Sequence, residues 1–219
     1  IKLSIENLNV NIQNYFNKKL PNLPIGNYTI HPDATRRRII PKMNKNEFED
    51  SHGTWIASGS ARYSTSHDYY MAFDRTSNCW EVNNTKPSIL QIQIPDPENY
   101  YIDGYVLASL QYSSEYPKDW ILQGSDDGET WVDLDTQTGQ NLSDSKEHEY
   151  SLKLNKCYTY YRMYMTNYNN SWNSLSTFNL LGYTADDIDD ATPSPTPSPS
   201  PDPGGSTPDP DKPDATPTP

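Results

Sequence analysis

The sequence lacks any long apolar run. The 219 residues contain no stretch of about 18 consecutive apolar residues, so no membrane-spanning helix is predicted. The first 21 residues, "IKLSIENLNVNIQNYFNKKLP", lack the continuous apolar segment and the cleavage site typical of a signal peptide. The protein would therefore be exported by another route, or its leader has already been removed, or it is carried on an assembled particle.

The sequence is also poor in the residues that build metal and nucleophile sites. Its two cysteines, Cys79 and Cys157, allow one disulfide but no zinc site of their own, and free buried thiols are the simpler expectation. The four histidines do not have zinc-like spacing. A Gly-x-Ser-x-Gly elbow and a phosphate-binding glycine loop are both missing. We therefore expect no hydrolase or nucleotide-binding chemistry in this chain.

Basic residues are scarce relative to acidic ones. The chain has 17 Lys and Arg against 29 Asp and Glu, with a net charge of −12. A nucleic-acid partner requires a basic face, so that class is disfavoured. The one basic run, Arg36 to Arg38, is interpreted as a solvated or partner-paired charge cluster.

Three segments differ in composition. Residues 1–48 are broken by prolines and are predicted to form an N-terminal arm that docks on another protein chain, with a short amphipathic helix around Ile5 to Phe16. Residues 186–219 are an acidic Pro/Ser/Thr-rich linker, expected to be extended and solvated, and "DDIDD" is interpreted as its start rather than a metal site. Residues 49–185 hold the predicted globular domain.

The central segment has the pattern of an all-β domain. "SILQIQIP" alternates apolar and polar residues, as a half-buried strand does, and "YTYYRMYMTNY" does the same. Further β-rich runs are "YIDGYVLASLQY", "WILQG", "TWVDL" and "STFNLLGY". Short strands between Asn-, Ser- and Gly-rich loops predict a sandwich or jelly roll.

The acidic stretch "SDDGETWVDLD" raises the question of a metal or catalytic site. Its carboxylates do not have the spacing of a calcium-binding EF-hand loop. Asp126 and Asp127 are adjacent, whereas two catalytic carboxylates lie several ångströms apart across a substrate bond. Asp and Gly at these positions are typical of a hairpin turn with Gly128 at positive φ. The stretch is therefore predicted to be a turn.

Several motifs within residues 51–183 resemble the coagulation factor 5/8 type C, or discoidin-like, domains, which overlap a large family of carbohydrate-binding modules. They are "ASGSARYS", "YYMAFD" before Trp80, "PKDWILQGSDDGETWVDLDTQTGQ", "YTYYRMYMTN" and "LSTFNLLGY". The segment "IIPKMNKN" and the Pro-Lys-Asp-Trp run are similar to copies of this domain in phage virion proteins. The resemblance implies a discoidin-like jelly-roll sandwich whose loops at one end bind sugars, with no catalytic chemistry.

Many relatives carry a structural calcium near an Ala-x-Asp motif. The resemblance implies that Asp74, with Asn78, would hold such an ion here. The glycine that usually follows the aspartate is replaced by Arg75, and the glutamate of the last strand is replaced by Thr177. A calcium ion needs several oxygen ligands with enough negative charge, so both departures weaken this expectation.

The resemblance implies that three loops form the sugar site. They are the loop after Trp80, the loop between "LASL" and Trp120, and the loop before the last strand. Trp172 is the best candidate for an aromatic platform, although it could instead fold back over the end of the sandwich. The candidate ligand-binding residues are Glu81, Asn83, Tyr112, Glu115, Tyr116, Asn170, Trp172 and Asn173, with His67 from "STSHDYY" as a minor candidate. The tryptophans assigned to the core are Trp55, Trp80, Trp120 and Trp131.

These observations favour a non-catalytic adhesion module that binds cell-surface glycans. It would lie outside the cell, on a virion appendage or a secreted bacterial surface protein. Two alternatives stay open: an assembly or decoration protein that docks through residues 1–48, and an ancillary domain of a larger carbohydrate-active enzyme.

Overall fold

A computed structural model of the chain describes residues 28–110 and 114–190. These residues form fourteen strands and four short 3-10 helices. The strands are β1 Tyr28–Ile30, β2 Arg37–Arg38, β3 Glu47–Asp50, β4 Gly53–Gly59, β5 Trp80–Asn83, β6 Ser88–Gln93, β7 Tyr100–Ala108, β8 Pro117–Ser125, β9 Val132–Gln137, β10 His148–Lys156, β11 Tyr160–Tyr168, β12 Trp172–Leu175, β13 Thr177–Thr184 and β14 Ile188–Asp190. The 3-10 helices are Thr65–His67, Tyr69–Ala72, Pro97–Asn99 and Ala185–Asp187. Within the described ranges, no helix has the length or apolar character of a membrane span.

Two antiparallel sheets pack against each other. One has the order β10-β7-β13-β2 and the other has the order β3-β4-β6-β11-β8-β9. Their facing side chains form one core, in which Trp55, Trp120 and Tyr161 of the larger sheet meet Phe178 and Leu180 of the smaller one. Two small ribbons, β1-β14 and β5-β12, complete the fold. The architecture is the predicted jelly-roll sandwich.

The strands with period-two sequences occupy the middle of the larger sheet. In β6 every second residue is buried, and in β11 Tyr161, Met163 and Met165 are almost completely buried. The two strands pair with Met163 opposite Leu90. Alternation therefore predicted both the strands and their inward faces.

The "SDDGET" stretch is a hairpin turn, as predicted, between β8 and β9. Gly128 has a φ of 76°, and its backbone N–H donates to Ser125 Oγ at 2.9 Å. The Asp127 carboxylate accepts hydrogen bonds from the backbone N–H groups of Thr130 and Glu129 and from the Ser125 hydroxyl. These donors lower the pKa of Asp127 far below its usual range. The carboxylate stabilises the turn, because its oxygens hold the backbone of the loop.

The expectation for Trp131 needs correction. Trp55, Trp80 and Trp120 are buried as predicted, but Trp131 is only partly buried and precedes β9. Its ring lies 3.8 Å from the guanidinium carbon of Arg162, a cation–π contact on the outer face of the larger sheet. Trp131 therefore packs against a surface arginine rather than between the sheets.

The predicted boundary at residue 48 also needs correction. The described part of the arm, residues 28–48, belongs to the sandwich: β2 pairs with β13, and Ile40 and Met43 are completely buried. The buried Asn179 side chain accepts a hydrogen bond from Ile40 N and donates one to Ile40 O. Residues 28–48 therefore pack against their own domain, and their buried side chains cannot contact another chain. The predicted helix at residues 5–16 lies outside the described residues.

The arginine run is paired within the chain. Arg36 contacts Asp103 and Glu149, Arg37 contacts Asp187, and Arg38 contacts Glu147. The interpretation as a partner-paired charge cluster is confirmed, since the partners are acidic residues of this domain.

At the other end, the linker begins later than residue 186. Ile188 is buried, and β14 pairs with β1 from Ile188 opposite Ile30 to Asp190 opposite Tyr28. The "DDIDD" stretch therefore belongs to the domain: its first two residues end the 3-10 helix Ala185–Asp187, and its last three form β14. Residues 191–219 lie outside the described residues.

Both cysteines are free and buried, as expected. Burial raises the pKa of the Cys79 thiol to about 12 and also raises that of Cys157. Neither thiol is therefore an activated nucleophile at neutral pH.

Candidate functional site

The candidate site is built on the ribbon formed by β5 and β12. Residues directly opposite each other in an antiparallel pair point to the same face. Trp172 lies opposite Asn83, and Ser174 lies opposite Glu81, so these four side chains share one face. The other face of the ribbon carries Trp80, Val82 and Leu175, which belong to the core.

An aromatic pair lies on this outer face. The ring of Trp172, which is partly buried, meets the ring of Tyr63 edge to face, with a centroid distance of 4.6 Å and an interplanar angle of 84°. Tyr63 is the most exposed large hydrophobic side chain of the described residues, at 58%. Its backbone N–H donates to Glu81 O at 2.7 Å, which fixes its loop against β5. The pair thus presents aromatic surface to water from a backbone that is held in place.

Polar side chains continue the site beside this pair. The His67 ring lies 5.6 Å from the Tyr63 ring, and His67 Nε2 lies 3.4 Å from Glu81 Oε2. Burial is the main cause that raises the pKa of Glu81 to about 7, and a side-chain hydrogen bond to Glu115 and the charge of Glu115 contribute to this increase. The group is therefore partly protonated near neutral pH.

The loops on either side of the ribbon are tied together by hydrogen bonds. Asn170 is exposed at a positive φ of 58°, and its Nδ2 donates to Ser114 Oγ at 2.6 Å. Asn169 Nδ2 donates to Ser114 O at 2.7 Å. Ser174 Oγ donates to the Glu115 backbone oxygen at 2.5 Å. These contacts hold Glu115 over the ribbon.

Most of the predicted ligand-binding residues come together here. Those gathered around the outer face of the ribbon are His67, Glu81, Asn83, Glu115, Asn170 and Trp172. Tyr112 lies outside the described residues.

Two predicted residues lie below the surface. Asn173 points to the inner face and is completely buried, and its Nδ2 donates to Ser88 Oγ at 2.8 Å. Tyr116 is 8% exposed and packs against the core. The expectation that these side chains contact a surface ligand is corrected: they support the ribbon and its loop from within.

Sequence reasoning missed Tyr63. It occurs in "ASGSARYS", which carries part of the family resemblance, yet a single tyrosine between Arg62 and Ser64 has no periodic signal. Its role becomes visible only through the contact with Trp172, which is more than 100 residues away in the sequence.

The residues expected to hold calcium, Asp74 and Asn78, are hydrogen-bonded within their own loop. Asp74 Oδ1 accepts from the backbone N–H and the hydroxyl of Thr76, and Oδ2 accepts from Asn78 Nδ2. Donors therefore face both carboxylate oxygens, and Asn78 presents its amide N–H₂ rather than its oxygen. Within the described ranges, no group of three or more His, Cys, Asp or Glu residues converges as a metal site.

No protein-family model and no curated protein matches this sequence. Several solved structures with a similar fold are carbohydrate-binding modules. One is the CBM32-5 module of Clostridium perfringens, solved in complex with GalNAc-β-1,3-galactose, with a TM-score of 0.51 and 12% identity over 57% of this chain and 94% of that one. Another is chitosan-binding module 1 of a chitosanase/glucanase from Paenibacillus sp. IK-5, with a TM-score of 0.50 and 17% identity over 63% and 96% of the two chains.

A fragment of a putative chitobiase from Bacteroides thetaiotaomicron is similar to the same extent, with a TM-score of 0.51 and 13% identity over 65% of this chain and 95% of that one. At such identities the likeness establishes the fold. The expected discoidin-like, galactose-binding-like architecture is therefore confirmed.

Proposed function

We propose that this chain is a non-catalytic carbohydrate-binding module whose ligand lies on the outer face of the β5-β12 ribbon. The observation that carries the proposal is the pair formed by the exposed Tyr63 and the partly buried Trp172, placed directly beside hydrogen-bonding side chains. A sugar ring has apolar C–H faces bordered by hydroxyl groups, so it needs an aromatic surface with polar groups at its edge.

The polar groups around the pair suit this task. Asn83 is exposed opposite Trp172, and His67 lies beside Tyr63. The Glu81 and Glu115 carboxyls lie on the same side of the ribbon and can exchange hydrogen bonds with hydroxyl or amino groups. The modules of similar fold from Clostridium perfringens and Paenibacillus sp. IK-5 support the same class of ligand.

A shallow surface of this kind typically binds in the millimolar to micromolar range, about −4 to −8 kcal/mol. Presentation of many copies would raise the avidity. The Pro-rich composition of residues 191–219 suits a spacer between this domain and a carrier. We place the module outside the cell, on a virion appendage or a bacterial surface protein that attaches to host glycans. The same spacer would also suit a carbohydrate-active enzyme.

A glycan array with the immobilised chain tests the proposal. We expect retention of a defined group of glycans by the parent and loss of that retention in Trp172→Ala. Trp131→Ala is the matched control, because Trp131 is also a partly exposed tryptophan but lies at the β8-β9 turn. The nine residues of β8 separate that turn from Glu115 by about 26 Å. Equal retention by the parent and Trp172→Ala would remove this surface as the site.

A further inference from the structure

We infer that this domain has a second binding site, a small cavity beneath β10 in which the ammonium group of Lys153 binds the carboxylate of a small organic acid. The inference goes beyond the glycan site and does not depend on it. Tyr161 of β11 lines the cavity, whereas Tyr168, at the other end of that strand, precedes the loop of Asn169 and Asn170. The strand rises about 23 Å between these two tyrosines. The two sites therefore lie toward opposite ends of β11.

The cavity lies where the edges of the two sheets come together. β9 is an edge strand of the larger sheet, and β10 is an edge strand of the smaller one. The cavity has a volume of about 20 Å³, and one water-sized group needs roughly 10–15 Å³. Side chains from both sheets line it, among them Ile102, Leu134, Leu152, Lys153, Tyr158 and Tyr161. Lys153 thus shares a mostly apolar space.

An irregularity in β10 directs Lys153 into this space. Ser151 pairs with Gly104 of β7, and the next pairing joins Asn155 to Ile102. The strand therefore bulges between Ser151 and Asn155, and a bulge changes the direction in which the side chains point. Ser151 is exposed, so regular alternation would also place Lys153 on the outer face. Because of the bulge, Lys153 lines the cavity instead.

The ammonium group of Lys153 is buried without a counter-charge. Its Nζ atom has no hydrogen-bond partner within the described ranges. Burial lowers the pKa of Lys153, and no neighbouring carboxylate opposes this effect. Asn155 and Lys156 complete the lining, so no acidic side chain of the described residues contributes to it. Buried lysines are almost always paired, because an isolated ammonium group is costly to remove from water. The cavity therefore favours an anion from the solvent.

The lining favours a carboxylate among the possible anions. The two oxygens of a carboxylate accept charge-assisted hydrogen bonds from Lys153 Nζ, and its carbon end suits the apolar side chains of Ile102, Leu134 and Leu152. Phosphate and sulfate have polar oxygens on every side, which this lining would leave without partners. Chloride has no apolar part. The small volume limits the ligand to acids of a few heavy atoms, such as acetate.

A titration with sodium acetate at constant ionic strength tests the site. The ¹H–¹³C methyl spectrum reports on the lining directly. We expect the methyl resonances of Leu134 and Leu152 to shift along one saturating curve, with a dissociation constant of about 1–10 mM. The methyl resonances of Ile40, which is buried beside Asn179, should stay in place. Sodium chloride at the same concentrations should not reproduce the shifts.

Lys153→Met keeps an unbranched apolar side chain and removes the ammonium group. The saturating shifts should disappear in this variant, while its methyl spectrum shows independently that it is folded. Lys146→Met is the matched control, because Lys146 is exposed in the loop before β10, and it should bind acetate like the parent. Trp172→Ala should also bind acetate like the parent. At about ten times the dissociation constant, acetate should raise the melting temperature of the parent by about 3 °C more than that of Lys153→Met.

Three results would overturn the inference. They are an absence of saturating shifts in the parent up to about 100 mM acetate, equal shifts with chloride, and unchanged shifts in Lys153→Met. None of these results affects the glycan site. Conversely, a chain that retains no glycan but binds acetate through Lys153 would remove the proposed function and leave this inference in place.

Discussion

Tyr63 and Trp172 form an edge-to-face pair at 4.6 Å, although one residue lies in the loop after β4 and the other begins β12. The first prediction follows from the exposure of Tyr63. Replacement of Tyr63 by Ala should weaken glycan binding about tenfold or more, because half of the aromatic surface is lost. The free energy of unfolding should change by less than about 0.5 kcal/mol, since the side chain is mostly solvated. Calorimetric titration and urea unfolding check the two parts, and a large loss of stability with unchanged affinity would contradict this role.

The two faces of the β5-β12 ribbon provide a second prediction. Asn173→Ala should lower the free energy of unfolding by about 1–3 kcal/mol, because it removes a buried partner of the Ser88 hydroxyl. Asn83→Ala, on the exposed face, should change stability by less than about 0.5 kcal/mol. Glycan affinity should fall in Asn83→Ala. Chemical denaturation of both variants tests the assignment. A larger loss of stability in Asn83→Ala than in Asn173→Ala would show that Asn83, and not Asn173, faces the core.

The third prediction concerns the segment before residue 49. Ile40→Ala should cost about 2–5 kcal/mol of stability, as expected for a fully buried aliphatic side chain. Ile30→Ala removes the same atoms from a position that is 39% exposed and should cost less than about 1 kcal/mol. Thermal unfolding of the two variants compares them directly. If Ile40→Ala unfolds like the parent, residues 28–48 are an attached arm and not part of the core.

The fourth prediction is a pH dependence of stability. The pKa of Glu81 is about 7 in the folded protein, above its ordinary value of 4.5, so the folded state binds more protons between these values. Stability therefore decreases as the pH rises through this window, by about 1–3 kcal/mol in total. Glu81→Gln removes the cost of burying the charge. It should unfold at a higher temperature than the parent at about pH 8 and at a similar temperature below about pH 4.

A variant that loses stability equally at all pH values would contradict this account. Such a result would mean that the Glu81 carboxyl is needed for packing and that its titration does not oppose folding. Glu129→Gln is the control, because Glu129 is exposed in the β8-β9 turn.

Much of the fold is readable from local patterns. Alternation in β6 and β11 predicts the inward faces, and the Asp-Gly pair predicts the turn at Gly128, because both depend on neighbouring residues alone. Trp131 and Ile40 were misplaced for the opposite reason. Their environments are set by Arg162 and Asn179, residues that are distant in the sequence.

In the candidate site, too, some features follow from the local sequence and others depend on contacts between distant residues. The family resemblance pointed to loops that meet at the β5-β12 ribbon and to Trp172 as a candidate. It did not show that Asn173 faces inward. The sequence of a four-residue strand does not determine which of its residues face the core, and here the pairing with β5 does so. Tyr63 and the contact between Glu81 and Glu115 depend on loops that meet only in the folded chain.

The most direct test of the central claim is a two-dimensional ¹⁵N–¹H spectrum of the indole N–H groups during titration with a glycan retained on the array. The chain has five tryptophans, and the resonance that disappears in Trp172→Phe identifies Trp172. We predict that this resonance shifts on ligand addition, while those of the buried Trp55 and Trp120 and of Trp131 at the far turn stay in place. A shift of the Trp131 resonance with Trp172 unchanged would contradict the account and would place the ligand on the outer face of the larger sheet.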